Sequence, residues 1–262
     1  MRLRVGARTD TGRVRELNED VYLVGAERRL FVVCDGMGGA PAGEVASGLA
    51  AKAILEQFDA PDTAASHGES DYLPQTSRLA AAVRHSNQLL YSRACLDPRH
   101  AGMGTTVVGA LIAEHVASVA HVGDSRAYLW RDQQLQPLTS DHSLVEATVR
   151  AGLLDASLRS SFEQQNALLR VLGREPDVEV ELNETPVKPG DYLLLCTDGL
   201  TRMVPESILA ESIARLADPQ RICDELINVA NRNGGADNIT VVVIEVAGSW
   251  WARLSGLWRR RK

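Results

Sequence analysis

Apolar residues along this chain fall into two kinds of pattern. Short apolar runs bounded by turn residues at 21–24, 30–34, 105–112, 178–182, 192–196 and 239–246 predict β-strands. Two further runs, HVASVAHV and SRAYLW, flank Gly123-Asp124, and a Gly-Asp pair in that setting predicts a tight two-residue hairpin. Most predicted strands follow one another through short turns, which favours antiparallel sheets over alternating βαβ units. Helical spacing appears elsewhere. In 41–58 the residues Val45, Leu49, Ala53, Ile54 and Phe58 recur at three-to-four spacing behind Pro41, a residue suited to a first turn. Similar patterns predict helices over 77–95, over 142–153 up to Gly152, and over 219–231, where Asn233-Gly234-Gly235 ends the run. The polar, proline-containing stretch 59–76 has no period and reads as a surface loop. With no internal repeat and no linker-like tract, the expected organisation is one domain over 1–248 and a short tail over 249–262.

Composition narrows the class. A chain of 262 residues can bury about three-quarters of its unfolded surface, and 45% hydrophobic with 24% charged residues excludes a disordered or fibrous chain. No apolar run reaches the ~18 residues of a membrane span, and the arginine-bearing start lacks the apolar segment of a secretory signal. Cys34, Cys95, Cys196 and Cys223 form no CxxC pair, so a reduced, cytoplasmic setting is expected. Net charge is −6, yet 249–262 carries five positive charges and no acid, which leaves −11 on the first 248 residues. Such a body is a poor nucleic-acid binder. Its acid must be concentrated somewhere, and clustered carboxylates suit hard cations.

Three motifs share one form, an apolar strand or turn running into Asp beside a small or turn residue: Cys34-Asp35-Gly36, Thr197-Asp198-Gly199 and Ala236-Asp237-Asn238. A fourth acidic group, Glu19-Asp20, immediately precedes the strand at 21–24. A strand end holds a carboxylate rigidly, and a following glycine admits close approach of backbone or ligand. Any one of these motifs alone is an ordinary turn. Four of them at the ends of buried strands are better explained by convergence on divalent ions, which relieve the mutual repulsion.

Seven blocks occur in order: TDTGRVRELNED, VVCDGMGGAPAGEVAS, GMGTTVVGALI, HVGDSRAYL, SDHSLV, LLLCTDGL and GADNITVVVI. Together they resemble the type 2C family of metal-dependent serine/threonine protein phosphatases in its compact bacterial form, over about residues 5–246. The resemblance implies an α+β four-layer sandwich, with two antiparallel sheets face to face and helices outside each. It implies hydrolysis of phosphoserine and phosphothreonine by a hydroxide bridging two Mn²⁺ or Mg²⁺ ions. Asp35 then matches the bridging carboxylate, with the Gly36 carbonyl beside it. Asp198 and Asp237 match the remaining ligands of one ion, and Glu19 and Asp20 serve the other. Together Asp35, Asp198 and Asp237 form the catalytic set. Arg15 matches the holder of the substrate phosphate, and Asp124 a ligand of a weaker third ion. Met37 stands where some members have a histidine acid, so the proton would have to come from a bound water. The partners implied are phosphoproteins and a cognate Ser/Thr kinase.

Other readings compete at particular residues. Cys196 and Arg202 satisfy the Cys-x5-Arg spacing of cysteine-dependent phosphatases, but Asp198 inside that loop would repel both thiolate and phosphate. The six histidines show no zinc-ligand spacing. A phosphatase-like binding module would have lost its carboxylates, whereas all are present; a small-molecule phosphomonoesterase would use the same metal chemistry. The tail SWWARLSGLWRRRK places Trp250, Leu254, Leu257 and Trp258 on one helical face beside its basic residues, a pattern suited to an anionic membrane surface or an acidic partner.

Overall fold

The computed structural model describes every residue except 39–41, 60–70, 156–157, 159–166 and 249–262. Two antiparallel sheets lie face to face. One contains, in spatial order, β1 (Arg2–Asp10), β11 (Ile239–Ala247), β10 (Tyr192–Cys196), β7 (Arg126–Arg131) and β8 (Gln134–Pro137). The other contains β2 (Asp20–Gly25), β3 (Leu30–Met37), β5 (Val107–Ala113), β6 (Val116–Val122) and β9 (Glu181–Pro186), with the short β4 (Gly104–Thr105) paired to the end of β3.

Period-two alternation explains why the central strands are buried on both sides. In β11, Val242, Ile244 and Val246 join the core between the sheets, while Ile239, Val241 and Val243 join a second core under α5 (Glu206–Leu216) and α6 (Pro219–Arg232). In β3, Phe31 and Val33 face the intersheet core, whereas Leu30, Val32 and Cys34 face a third core under α1 (Ala42–Asp59) and α2 (Pro74–Leu96). Each such side chain removed from water contributes about 1.5–3 kcal/mol. The result is helix, sheet, sheet, helix: the expected α+β four-layer sandwich.

Local rules set the helix ends. Asp218 caps α6 by accepting from the Arg221 N–H, with Pro219 in the first turn. That end presses on β1 at Gly6, where a Cβ would lie 2.3 Å from the Gln220 backbone nitrogen.

Several expectations need correction. Gly123-Asp124 is no hairpin turn: β6 lies in one sheet and β7 in the other, so the pair carries the chain between sheets. Both edges of β6 are already occupied, by β5 and β9, and β7 pairs with β10 and β8. The helix expected from residue 142 shortens to α3 (Leu144–Arg150), capped by the Ser143 hydroxyl. His142 cannot join it, because its backbone N–H donates to the Gly123 carbonyl and its carbonyl accepts from Leu169. The strand expected at 178–182 runs instead as β9, and that at 105–112 divides between β4 and β5. β1 and α5 were not anticipated, and α2 begins at Pro74, inside the expected loop. Residues 60–70 of that loop, residues 156–157 and 159–166 after α3, and the tail lie outside the described residues.

Candidate active site

The carboxylates singled out in the sequence come together at one end of the sandwich, where strands of both sheets terminate. Asp20 and Asp35 face each other across the β2–β3 register. Asp198 opens the single-turn helix α4 (Asp198–Thr201) directly after β10, and Asp237 precedes β11, the neighbour of β10. Asp124 arrives on the crossing between sheets. Glu19 precedes β2, and the Gly36 N–H donates to its carbonyl at 3.1 Å.

Neighbouring polar groups fix these positions. Asp20 is buried, and its Oδ2 accepts from the Thr197 and Thr240 hydroxyls at 2.9 and 2.8 Å. The Asp35 N–H donates to Thr106 Oγ1, which is 2.7 Å from Ser125 Oγ. Asn238 organises the opposite wall: its Oδ1 accepts from the Glu19 N–H, and its Nδ2 donates to the carbonyls of Thr11 and Leu17. Close packing makes glycine necessary beside the carboxylates. A Cβ on Gly199 would lie 2.0 Å from the Asn238 carbonyl oxygen, and one on Gly43 would lie 2.5 Å from the Glu19 carboxyl.

Crowded acids in a dry site resist ionisation. Burial pushes Asp20 up to about 7, the Thr240 and Thr197 hydroxyls oppose that, and Asp198 and Asp237 add repulsion. Asp124 also rises to about 7, through burial first and then repulsion from Asp198 and Asp141. Asp35 rises through burial and then repulsion from Asp20, Asp198, Asp124 and Asp237. Asp198 and Glu19 rise mainly through burial, opposed by Arg202 and Arg15 respectively. Glu19 Oε1, Asp20 Oδ1 and Asp198 Oδ1 are buried without a hydrogen-bond partner. All-oxygen donors left unpartnered in a cluster this acidic fit hard divalent cations.

Two arginines reach this cluster. Arg15 Nη2 lies 2.9 Å from Asp237 Oδ2. Arg202, which entered the sequence reading only through the cysteine spacing, forms ion pairs with Asp198 and, at 3.7 Å, with Asp124. Arg202 is thus turned toward carboxylates, and Cys196 is buried with its thiol pushed up to about 12 by that burial. No thiolate nucleophile is available there.

The fold also assembles a group that sequence spacing did not reveal. His121 and His142 stack at 4.6 Å between ring centroids, and Glu181 joins them within 4.8 Å. The Gly123 N–H donates to His142 Nδ1 at 3.2 Å, which leaves the proton of the neutral ring on Nε2, 3.2 Å from Glu181 Oε2. A nitrogen that carries a proton has no lone pair for a cation. His121 Nε2 faces the Ser140 carbonyl at 3.0 Å. These rings clamp the Gly123-Asp124 crossing to the segment leading into α3.

Comparison with known proteins agrees with this geometry. The protein phosphatase 2C family model matches residues 12–239. The serine/threonine phosphatase stp of Listeria monocytogenes is 38% identical over 243 residues, 91% of this chain and 94% of the relative. The crystal structure of the Mycobacterium tuberculosis serine/threonine phosphatase PstP/Ppp superposes with a TM-score of 0.84 at 36% identity, covering 95% of this chain and 100% of that one. A PstP catalytic domain in complex with 2 manganese ions superposes with a TM-score of 0.80 at 36% identity, covering 94% and 99%. A sandwich with a carboxylate cluster at its strand ends defines a metal-dependent phosphohydrolase. This chain belongs to the protein phosphatase 2C family, and it is a metal-dependent protein phosphatase.

Proposed function

We propose that the chain removes phosphate from phosphoserine and phosphothreonine in proteins, and that its substrates are those of a cognate bacterial Ser/Thr kinase. The convergence of Asp20, Asp35, Asp198 and Asp237, with buried oxygen atoms lacking a partner, carries this reading. In it, Asp35, Asp198 and Asp237, with the Gly36 backbone, hold one ion, and Asp35, Glu19 and Asp20 serve the other. When bound, the two ions activate water as the nucleophile and neutralise phosphoryl charge.

The chain's own groups do the rest. Asp20 is aimed by the hydroxyls of Thr197 and Thr240, so its second oxygen faces the ion site. Arg15 is about half exposed and rests on Asp237. Once a cation takes over Asp237, the guanidinium is released to hold substrate phosphate through two parallel N–H bonds. Met37 on β3 carries no proton, so the leaving oxygen is protonated by water held near Asp124. The catalytic domain spans 1–248. No helix among the described residues is long and apolar enough to cross a membrane, and cytoplasmic residence is part of the proposal. So is contact of the tail over 249–262 with an anionic membrane surface or an acidic partner.

The test is hydrolysis of p-nitrophenyl phosphate and a phosphothreonine peptide with Mn²⁺ and with EDTA. Activity is expected only with the metal, and Asp35→Ala removes it. Arg15→Ala raises KM for the peptide more than it lowers kcat. Full activity in EDTA overturns the reading.

A further inference from the structure

We propose that Arg202 is a resident cation seated between Asp124 and Asp198, holding with a guanidinium the place that a third divalent ion would otherwise take. The inference rests on the two-ion reading above and extends it to a residue outside that ion set.

The placement begins in the backbone. Arg202 follows α4, and its N–H donates to the Asp198 carbonyl at 2.8 Å. That closed turn puts residues 198 and 202 on one helical face, the spacing at which opposite charges meet. The Arg202 side chain accordingly forms an ion pair with Asp198, and the same Nη2 lies 3.7 Å from Asp124 Oδ2. Both carboxylates have side chains 11% exposed, whereas Arg202 is 37% exposed. The guanidinium therefore closes the gap from the more exposed side.

Two features make this more than a surface ion pair. Asp198 follows a strand of one sheet, and Asp124 lies on the crossing from the other sheet, so one guanidinium ties both leaves of the sandwich. The neighbouring acid Asp141 is already held by Arg126, through two bonds of 2.8 and 2.7 Å. Arg202 is thus left to neutralise Asp124 and Asp198. Because a guanidinium stays protonated at any working pH, its charge competes permanently with a dissolved cation for Asp124 Oδ2 and Asp198 Oδ2, while Asp198 Oδ1, which has no hydrogen-bond partner, stays open to the two-ion set. A neutral residue here would leave the two carboxylates without this countercharge; arginine supplies it without metal.

The experiment counts Mn²⁺ ions bound per chain by equilibrium dialysis, with free Mn²⁺ read by electron paramagnetic resonance, and needs no turnover. Wild-type protein is expected to take two ions tightly and a third only weakly. Arg202→Ala and Arg202→Gln, the latter keeping an uncharged stem along α4, are expected to bind the third ion about tenfold more tightly or better, as removal of a fixed charge a few ångströms away requires. Adding Asp124→Asn to either variant returns the count to two. A third ion bound equally in the wild type and both variants overturns the inference while leaving the two-ion reading intact. A wild type that binds no Mn²⁺ overturns both.

Discussion

Replacing Asp20 by Asn separates the cost of the site from its function. Asp20 is buried, and its carboxyl is pushed up to about 7 from an ordinary 3.8. Keeping it ionised without a metal costs about 4 kcal/mol of folding stability above pH 7. The sign follows from the raised value. The folded chain holds this proton more tightly than the unfolded one, so the stabilisation is complete below pH 3.8 and is lost as pH rises through about 7. Asparagine keeps an oxygen that accepts from Thr197 and Thr240 and carries no charge. In EDTA at pH 8, Asp20→Asn is therefore expected to be more stable than wild type by about 2–4 kcal/mol, read as a shift of the urea midpoint at constant slope. With Mn²⁺ the gap narrows. Only the intact site binds strongly, and 100-fold saturation adds about 2.7 kcal/mol to it. A variant less stable than wild type in EDTA, or an unchanged difference between the two proteins from pH 5 to pH 8, refutes the reasoning.

Two more outcomes are expected. Cys196→Ser keeps metal-dependent activity on the phosphothreonine peptide, because the thiol is buried in the core and remains protonated; abolished activity in a folded variant would restore the cysteine to the chemistry. His142, buried beside His121, is pushed down to about 4, so the folded state disfavours its protonation. Stability linked to it is present above about pH 6.5 and is lost as pH falls toward 4, up to about 3 kcal/mol. Urea titrations of metal-loaded wild type and His142→Asn between pH 4 and 7 should show the steeper decline in wild type, and parallel curves would count against the buried neutral ring.

The parts of this protein that were legible in its sequence are those specified by neighbours in the chain. The runs that became β3, β10 and β11 announced themselves because both faces of each strand are covered, leaving uninterrupted apolar residues. The carboxylates were legible because each stands beside a glycine, threonine or asparagine at a strand end. β1 was hidden because Leu3, Val5 and Ala7 alternate with arginines at an edge, and only one of its faces is apolar. The Gly123-Asp124 crossing was misread because local turn chemistry does not reveal which partners have already taken a strand's edges. Asn238 looked like a turn residue, and its three contacts to the 11–19 segment depend on a fold that joins positions more than 200 apart. Arg202 was visible in the sequence only through its spacing from Cys196, and its pairing with Asp198 and reach to Asp124 were hidden, since the first needs the short turn of α4 and the second an oxygen that arrives from the other sheet. The same holds for the two histidines and Glu181.

The crossing at Gly123-Asp124 gives the sandwich a mechanical character. Glu19, Asp20 and Asp35 ride on one leaf, Asp198 and Asp237 on the other, and the chain passes from leaf to leaf through Asp124. The cluster is therefore a seam between two stiff plates. A slide of one plate against the other changes every oxygen-to-oxygen distance across the seam at once, because each of these carboxylates stands on a strand end or within two residues of one. Cation affinity and resistance to shear are then two readings of one stiffness. A substitution deep in the intersheet packing, such as one at Val33 or Val242, acts on ion binding through geometry without approaching a single ligand.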